Sequence, residues 1–396
     1  MVLEILIAIL LGVASGIFTG LIPGIHVNLV SATLISLSAI FLNIISIECL
    51  VVFIICMALT HTFLDTIPSV FLGAPDSTAI SVLPGHKLLL EGKGFSAVSY
   101  TIIGSLSGLI LGAAIFYFVT VFLEQIYSSI QNYIVYILFF VAFFIIYSST
   151  PKFRTTLLLF CSGILGLIVL NSNLENSLFP LLSGFFGVST LLFSLKNDSN
   201  VLPEQKTIKT LSISLKKIIP SALLGFISGF ITSILPGLGS STAAAISSSI
   251  TTENEPNTFL VMIGSISTAN FFMSIAALHI LDKARNGAIL AVKELVLSPN
   301  VFLLIGVSLI AGGIACIISF PITRWFSKTI TKINYKLTVK SVILLICILT
   351  FVLSGFKGFV VLVVATIIGL YANEFGIPRR AMMACILFPV ISFFLF

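Results

Sequence analysis

The sequence predicts an all-α polytopic membrane protein built as an inverted-topology repeat, each half a re-entrant helical hairpin followed by about five transmembrane helices. Three observations carry that expectation: a composition unsuited to water, a Gly and Pro pattern that occurs twice, and the positions of the basic segments. Of 396 residues, 58% are hydrophobic and 9% charged, against about 25% charged in a soluble domain. Uncharged stretches such as Tyr100 to Leu123, Asn176 to Leu195 and Ser341 to Phe356 are long enough to cross roughly 30 Å of hydrocarbon as helices, some short or tilted. The net charge of +6 does not point to nucleic acid, because the basic residues lie in short loops between apolar runs, where they set membrane orientation.

Taken in order, Met1 to Leu11 contains Glu4 and no Lys or Arg. It lacks the basic leader of a cleavable signal peptide and is expected to stay in the mature chain. The pattern GVASGIFTGLIPGIHVN (Gly12 to Asn28) returns as GFISGFITSILPGLGSS (Gly225 to Ser241). Gly12, Ser15, Gly16, Thr19, Pro23 and Gly24 match Gly225, Ser228, Gly229, Thr232, Pro236 and Gly237 at a constant offset of 213, the mark of a duplication. In each copy a Pro without an N–H and a Gly that tolerates a turn interrupt an apolar helix. Kinked spans and re-entrant hairpins are the competing readings; non-helical backbone at membrane depth must face protein or a water-filled cavity.

The basic segments arbitrate. Lys196 to Lys217 holds five lysines and divides the chain near its middle; Lys152 with Arg154, and the run Arg324, Lys328, Lys332, Lys336 and Lys340, are two further anchors, all cytoplasmic by the positive-inside rule. If Ile218 to Ile250 enters and leaves on the cytoplasmic side, spans near 258–281, 299–320, 341–356, 358–372 and 378–396 return the Arg324 run to the cytoplasm. Counting back, spans near 176–195, 155–172, 133–149, 96–123 and 53–73 place Lys152, Arg154, Lys87 and Lys93 inside. Val2 to Leu42 then becomes a hairpin entered from outside. The expected organisation is a first repeat over 1–195, a cytoplasmic linker over 196–217 and a second repeat over 218–396, in the cell (plasma) membrane with both termini outside. Such inverted repeats with broken helices are the build of a secondary transporter.

The hairpin tips turn polar. His26, Asn28 and Ser31 follow Pro23 and Gly24, while Gly239, Ser240, Ser241 and Thr242 follow Pro236 and Gly237. The helix after each break directs unpaired N–H groups and its dipole into the gap, which favours an anion. The helix before each break ends in free carbonyls, which suit a coupling Na⁺ or a proton carrier. The alternative is that these small polar residues only let helices pack closely.

A second polar group comprises Thr60, His61, Asp65 and Asp76. Ionisable residues inside a span are functional candidates, and His61 and Asp65 stand one helical turn apart; a packing contact is the plainer alternative. In the second half Asn270 replaces the acid, and His279, Asp282, Lys283 and Arg285 follow; Asp76 and Lys87 recur as Asp282 and Lys293 at an offset of 206. Lys87, Arg285 and Lys293 either steer an anion toward the tips or are surface charges.

Enzyme signatures are missing: the chain has no HExxH, GxSxG or GxxxxGK[ST]. Its four histidines, His26, His61, His86 and His279, lack metal-ligand spacing. Six cysteines form no CxxC pair and read as helix-buried thiols. No resident cofactor is expected.

Several stretches resemble the large membrane subunit of the tripartite tricarboxylate transporters: the segments ending IPGIH and LPGLG, FLGAPDSTAISVLPGHKLLLEGKG, and GLYANEFGIPRRAMMACILFPVI. The chain is most similar to that family's compact, mostly archaeal branch. The resemblance implies a secondary carrier for an organic anion such as citrate, energised by a cation gradient. It also implies a small membrane subunit and an extracytoplasmic binding protein as partners, with a homo-oligomer as a further arrangement. Similar paired Pro-Gly hairpins occur in polyprenyl-phosphate translocases, so a lipid-phosphate flippase is the alternative.

Overall fold

The computed structural model describes residues 2–22, 27–36, 38–41, 43, 45–72, 82–195, 203–206, 213–235, 240, 243–244, 247, 255–284, 286–331 and 335–395. Among these residues there is no strand. The first half runs α1 (Val2–Leu21), α2 (Val27–Ser36), a single turn α3 (Ser38–Phe41), α4 (Ile47–Leu64), α5 (Thr66–Leu72), α6 (Val82–Leu90), α7 (Gly94–Ile130), α8 (Ile134–Tyr147), α9 (Lys152–Leu170), α10 (Leu178–Leu182), a π-helical segment Ser183–Val188, and α11 (Ser189–Leu195). The second half runs α12 (Leu215–Ile234), α13 (Pro256–Leu281), α14 (Gly287–Leu295), α15 (Val301–Ile330), α16 (Tyr335–Glu374) and, after a 3-10 turn at Arg379–Met383, α17 (Ala384–Leu395).

The spans fall close to where apolar length and charge put them. Eight helices among the described residues are long and apolar enough to cross a membrane. Two boundaries follow from local chemistry. α16 is broken at Gly355, whose φ of 62° and ψ of −164° suit a residue without a Cβ. α13 starts with Pro256 in its first turn and stops where Asp282 turns left-handed at φ 49°. The sequence count did not anticipate the short helices α6 and α14, which are only nine residues each. α14 packs on α2 and α4, and α6 packs on α5, α7 and α13.

Two apolar cores organise these helices. The larger draws mainly on α1, α4, α7, α13, α14 and α15. The smaller joins α8, α9, the 178–186 segment, the second arm of α16, the Arg379–Met383 turn and α17.

Glycines set the closest crossings. A Cβ at Gly12 would stand 2.7 Å from the Phe53 carbonyl oxygen, and one at Gly16 2.5 Å from that of Met57. In the other half a Cβ at Gly225 would stand 2.4 Å from the Met262 carbonyl oxygen and one at Gly229 2.6 Å from that of Ile266. The glycines are related by 213 positions and their partners by 209, so α1 meets α4 through the same points by which α12 meets α13. The smaller core repeats the relation: Gly166 abuts the Cys385 carbonyl, and Gly369 that of Phe185.

The halves are also clasped together. A Cβ at Gly104 would lie 1.9 Å from the Val261 carbonyl oxygen, and one at Gly264 2.1 Å from that of Thr101. α7 and α13 therefore touch backbone to backbone, and Thr268 Oγ1 donates to the Ser105 carbonyl at 2.8 Å across the contact. Basic segments meet at one end of the bundle. Arg324 lies over the Phe95 ring, Gln205 bridges the Leu89 carbonyl and the Gly94 N–H, and Lys217 pairs with Glu255 at 2.6 Å.

Candidate transport site

α12 ends where the next residue is proline. Leu235, at φ −82° and ψ 123°, has left the helical region, because the ring of Pro236 disfavours it for the preceding residue. Ser228 Oγ lies 2.6 Å from Ser247 Oγ, so the chain beyond the Pro-Gly pair comes back alongside α12. Ser240 is helical and partly buried. Pro23, Gly24, His26, Pro236, Gly237, Gly239, Ser241, Thr242, Asp76 and Arg285 lie outside the described residues, as does the side chain of Asn28. Ser31 on α2 is fully buried and its hydroxyl has no hydrogen-bond partner among the described residues.

The second polar group is brought against the first hairpin segment by the Gly16 crossing. His61 is buried, and its Nδ1 is 3.1 Å from Thr19 Oγ1. Thr19 Oγ1 donates to the Gly16 carbonyl at 3.3 Å, so it presents a lone pair to His61 and the imidazole carries its proton on Nδ1. His61 Nε2 then faces Asp65 Oδ2 at 3.9 Å. Thr60 is fully buried beside Gly16, and its hydroxyl has no partner among the described residues.

The second half reproduces this arrangement with a carboxamide. Thr232 Oγ1 donates to the Gly229 carbonyl at 2.9 Å and accepts from Asn270 Nδ2 at 2.9 Å. Asn270 thus stands where His61 stands, 209 positions later, not in place of the acid as the sequence suggested; Ser274 occupies the position matching Asp65. Thr19 and Thr232 were visible only as matches within the repeat. Their spacing of four residues before each Pro was the signal that they face the neighbouring span.

The lysines divide. Lys87 is exposed on α6, while Lys293 on α14 is tied to Asp282 at 2.8 Å. Residues that sequence reasoning passed over lie between α16 and α17. Arg380 donates to the Ser148 carbonyl at 2.8 Å and to Ser149 Oγ at 3.2 Å, fastening this turn to the α8–α9 connection. Its neighbour Arg379 bonds Asn373 Oδ1 through Nε at 3.2 Å. Two successive arginines after a proline, just before the last apolar run, were the available signal.

Spanning-length helices, tight glycine crossings and buried polar groups within the bundle define a multi-pass membrane protein of transporter type. Residues 6–384 match the sequence pattern of the tripartite tricarboxylate transporter TctA family, and the chain belongs to that family, whose members are components of organic-anion transporters rather than enzymes. The chain is 30% identical over 403 residues to the uncharacterized protein MJ1079 of Methanocaldococcus jannaschii, covering 98% of this chain and 99% of the relative. No solved structure matches it.

Proposed function

We propose that the protein is a secondary active transporter of a di- or tricarboxylate such as citrate, working by alternating access in the cell membrane. The anion is held between the Pro23–Gly24 and Pro236–Gly237 tips by the N–H groups and hydroxyls that follow them. The observation that carries this reading is the duplicated latch, Thr19 on His61 and Thr232 on Asn270, four residues before each Pro-Gly pair. It ties the helix before each tip to a membrane-crossing helix of its own half. The return of the chain at Ser247 and the repeated glycine crossings support two hairpins within an inverted repeat.

His61 and Asp65 are the coupling pair. An imidazole lone pair turned toward a carboxylate inside a span is stabilised when a proton or Na⁺ is shared between them. The cation therefore enters the cycle beside α1, four residues before Pro23. A small membrane subunit and an extracytoplasmic binding protein complete the system.

The test is citrate uptake into proteoliposomes holding the full chain, alone and with those two subunits, under an imposed proton or Na⁺ gradient. Gradient-dependent accumulation is expected. Ser241→Ala should weaken citrate affinity by roughly ten- to a hundred-fold, the effect of one charge-assisted hydrogen bond. Movement of polyprenyl phosphate with no citrate uptake would replace this reading with the lipid-carrier one.

A further inference from the structure

The turn between α16 and α17 holds a donor cluster that no acceptor among the described residues satisfies. A guanidinium has only N–H donors, so the Asn373 side chain must turn its oxygen toward Arg379 Nε, as it does at 3.2 Å. The amide nitrogen is thereby left facing elsewhere. Asn373 Nδ2 and Arg379 Nη1 are both buried, and neither has a hydrogen-bond partner among the described residues. Burial lowers the Arg379 pKa to about 10, so the group remains a cation at neutral pH. A buried cation without a counter-charge costs several kcal/mol, and leaving adjacent donors unpaired adds to that. Arg380, one residue on, places its Nη2 on a backbone carbonyl and a serine hydroxyl.

The position of the cluster is informative. Leu235, the residue immediately before Pro236, is buried in the same apolar core as Ile377, Ala381 and Met382, which bracket Arg379. The positive charge of Arg379 also reaches His86 on α6, whose pKa falls below its usual value through burial first and this charge last. The donors therefore share a core with the end of α12 and act electrostatically on the short helix α6.

We propose that Asn373 and Arg379 form an oxyanion-binding site, taking one carboxylate of the transported anion through Arg379 Nη1 and Asn373 Nδ2. This rests on the organic-anion reading above and adds to it the charged group that the hairpin tips do not supply. It also gives a size rule: a ligand that uses both this site and the tip donors of that reading needs at least two anionic groups. The chemistry fits equally the phosphate of a lipid carrier, and the two sources separate by experiment.

Purified full-length protein in nanodiscs is titrated with citrate, with acetate, and with a short-chain polyprenyl phosphate by calorimetry. Citrate should bind and acetate should be at least about ten-fold weaker. Arg379→Gln should weaken citrate by about ten- to a hundred-fold, Arg379→Lys by less, and Asn373→Ala by about ten-fold, while Arg380→Lys leaves affinity unchanged and lowers Tm. Where Arg379→Gln fails to fold, Arg379→Lys and Asn373→Ala decide. Unchanged citrate affinity in both, or in a folded Arg379→Gln, overturns the site and leaves the transport reading standing. Binding of polyprenyl phosphate alone, lost in the same variants, keeps the site and overturns the citrate reading. No binding of either ligand to the unaltered protein overturns the site.

Discussion

In the first half the threonine before the Pro-Gly pair meets an imidazole with a carboxylate one turn further on; in the second half it meets a carboxamide followed by Ser274. The glycine crossings beneath these latches are the same, contact for contact. A duplicated frame has thus kept its packing and diverged in what titrates. Of the two latches, only the first holds titratable groups, as the proposed coupling requires, while the second presents fixed dipoles.

A second difference concerns the long helices that join the halves. α7 presses on α13 through Gly104 and Gly264 with no room for a methyl group, and a Cβ at Gly108 would lie 2.6 Å from the Ser265 carbonyl. The matching helix of the other half, α15, approaches α4; its Gly312 faces the Leu109 and Leu59 side chains, while Gly306 and Gly313 have nothing within 4 Å of a Cβ. The glycines of the α7–α13 crossing thus meet backbone, whereas Gly312 of α15 meets side chains and Gly306 and Gly313 meet open space.

The largest effect should come from the closed crossing. Gly104→Leu forces apart two backbones that cannot repack, whereas Gly306→Leu points into open space. Overpacking of this kind costs about 3 kcal/mol or more, so Gly104→Leu should abolish a monodisperse peak in size-exclusion chromatography. Gly306→Leu should leave Tm within a few degrees. Equal behaviour of the two would erase the asymmetry.

Next in size is the charge difference. Asp65→Asn gives the first half a neutral group and should reduce uphill accumulation to the level reached by equilibration, while downhill exchange of labelled for unlabelled substrate persists in part. Exchange needs the anion cradle and not the ion cycle. Gradient-driven uptake by Asp65→Asn equal to that of the unaltered protein would make the pair structural and move coupling to the carbonyls before Pro23 and Pro236.

The fold was legible because hydrocarbon imposes simple rules: length, lack of charge and the positions of lysines placed most spans within a few residues of α4, α7, α13 and α15. The short helices α6 and α14 escaped because nine residues carry no spanning signal, and their lysines suggested loops. The repeat was legible in Gly12, Gly16, Gly225 and Gly229, since a glycine that touches a neighbouring backbone admits no substitute. Asn270 was paired with the wrong partner because chemical likeness to an acid outweighed register. The 209-residue offset that decides it belongs to spatial neighbours, which sequence alone does not pair. Arg379 escaped for a related reason: that its Nη1 has no partner among the described residues leaves no mark in the sequence.

The smallest effect separates the two latches by what they hold. Thr19→Val and Thr232→Val each keep the side-chain shape and remove one hydroxyl, leaving a buried donor, His61 Nδ1–H or the Asn270 amide, without its acceptor. Each should cost about 1–2 kcal/mol, a fall in Tm of a few degrees that is similar for both. Their functional consequences should differ. Asn270 loses only a tether, so Thr232→Val should retain accumulation near that of the unaltered protein. His61 loses the acceptor that fixes its tautomer, so Nε2 is no longer held as the lone pair facing Asp65, and the shared proton or cation is bound less tightly. Thr19→Val should therefore need a steeper driving gradient to reach the same accumulation ratio, with citrate affinity unchanged at equilibrium. In a double-mutant cycle with Asp65→Asn, the Thr19→Val defect in accumulation should vanish, because the coupling it perturbs is already gone. An additive defect in that cycle, or an equal loss of accumulation in Thr232→Val, would show that the latches act alike and that the chemical difference between the halves does not reach the transport cycle.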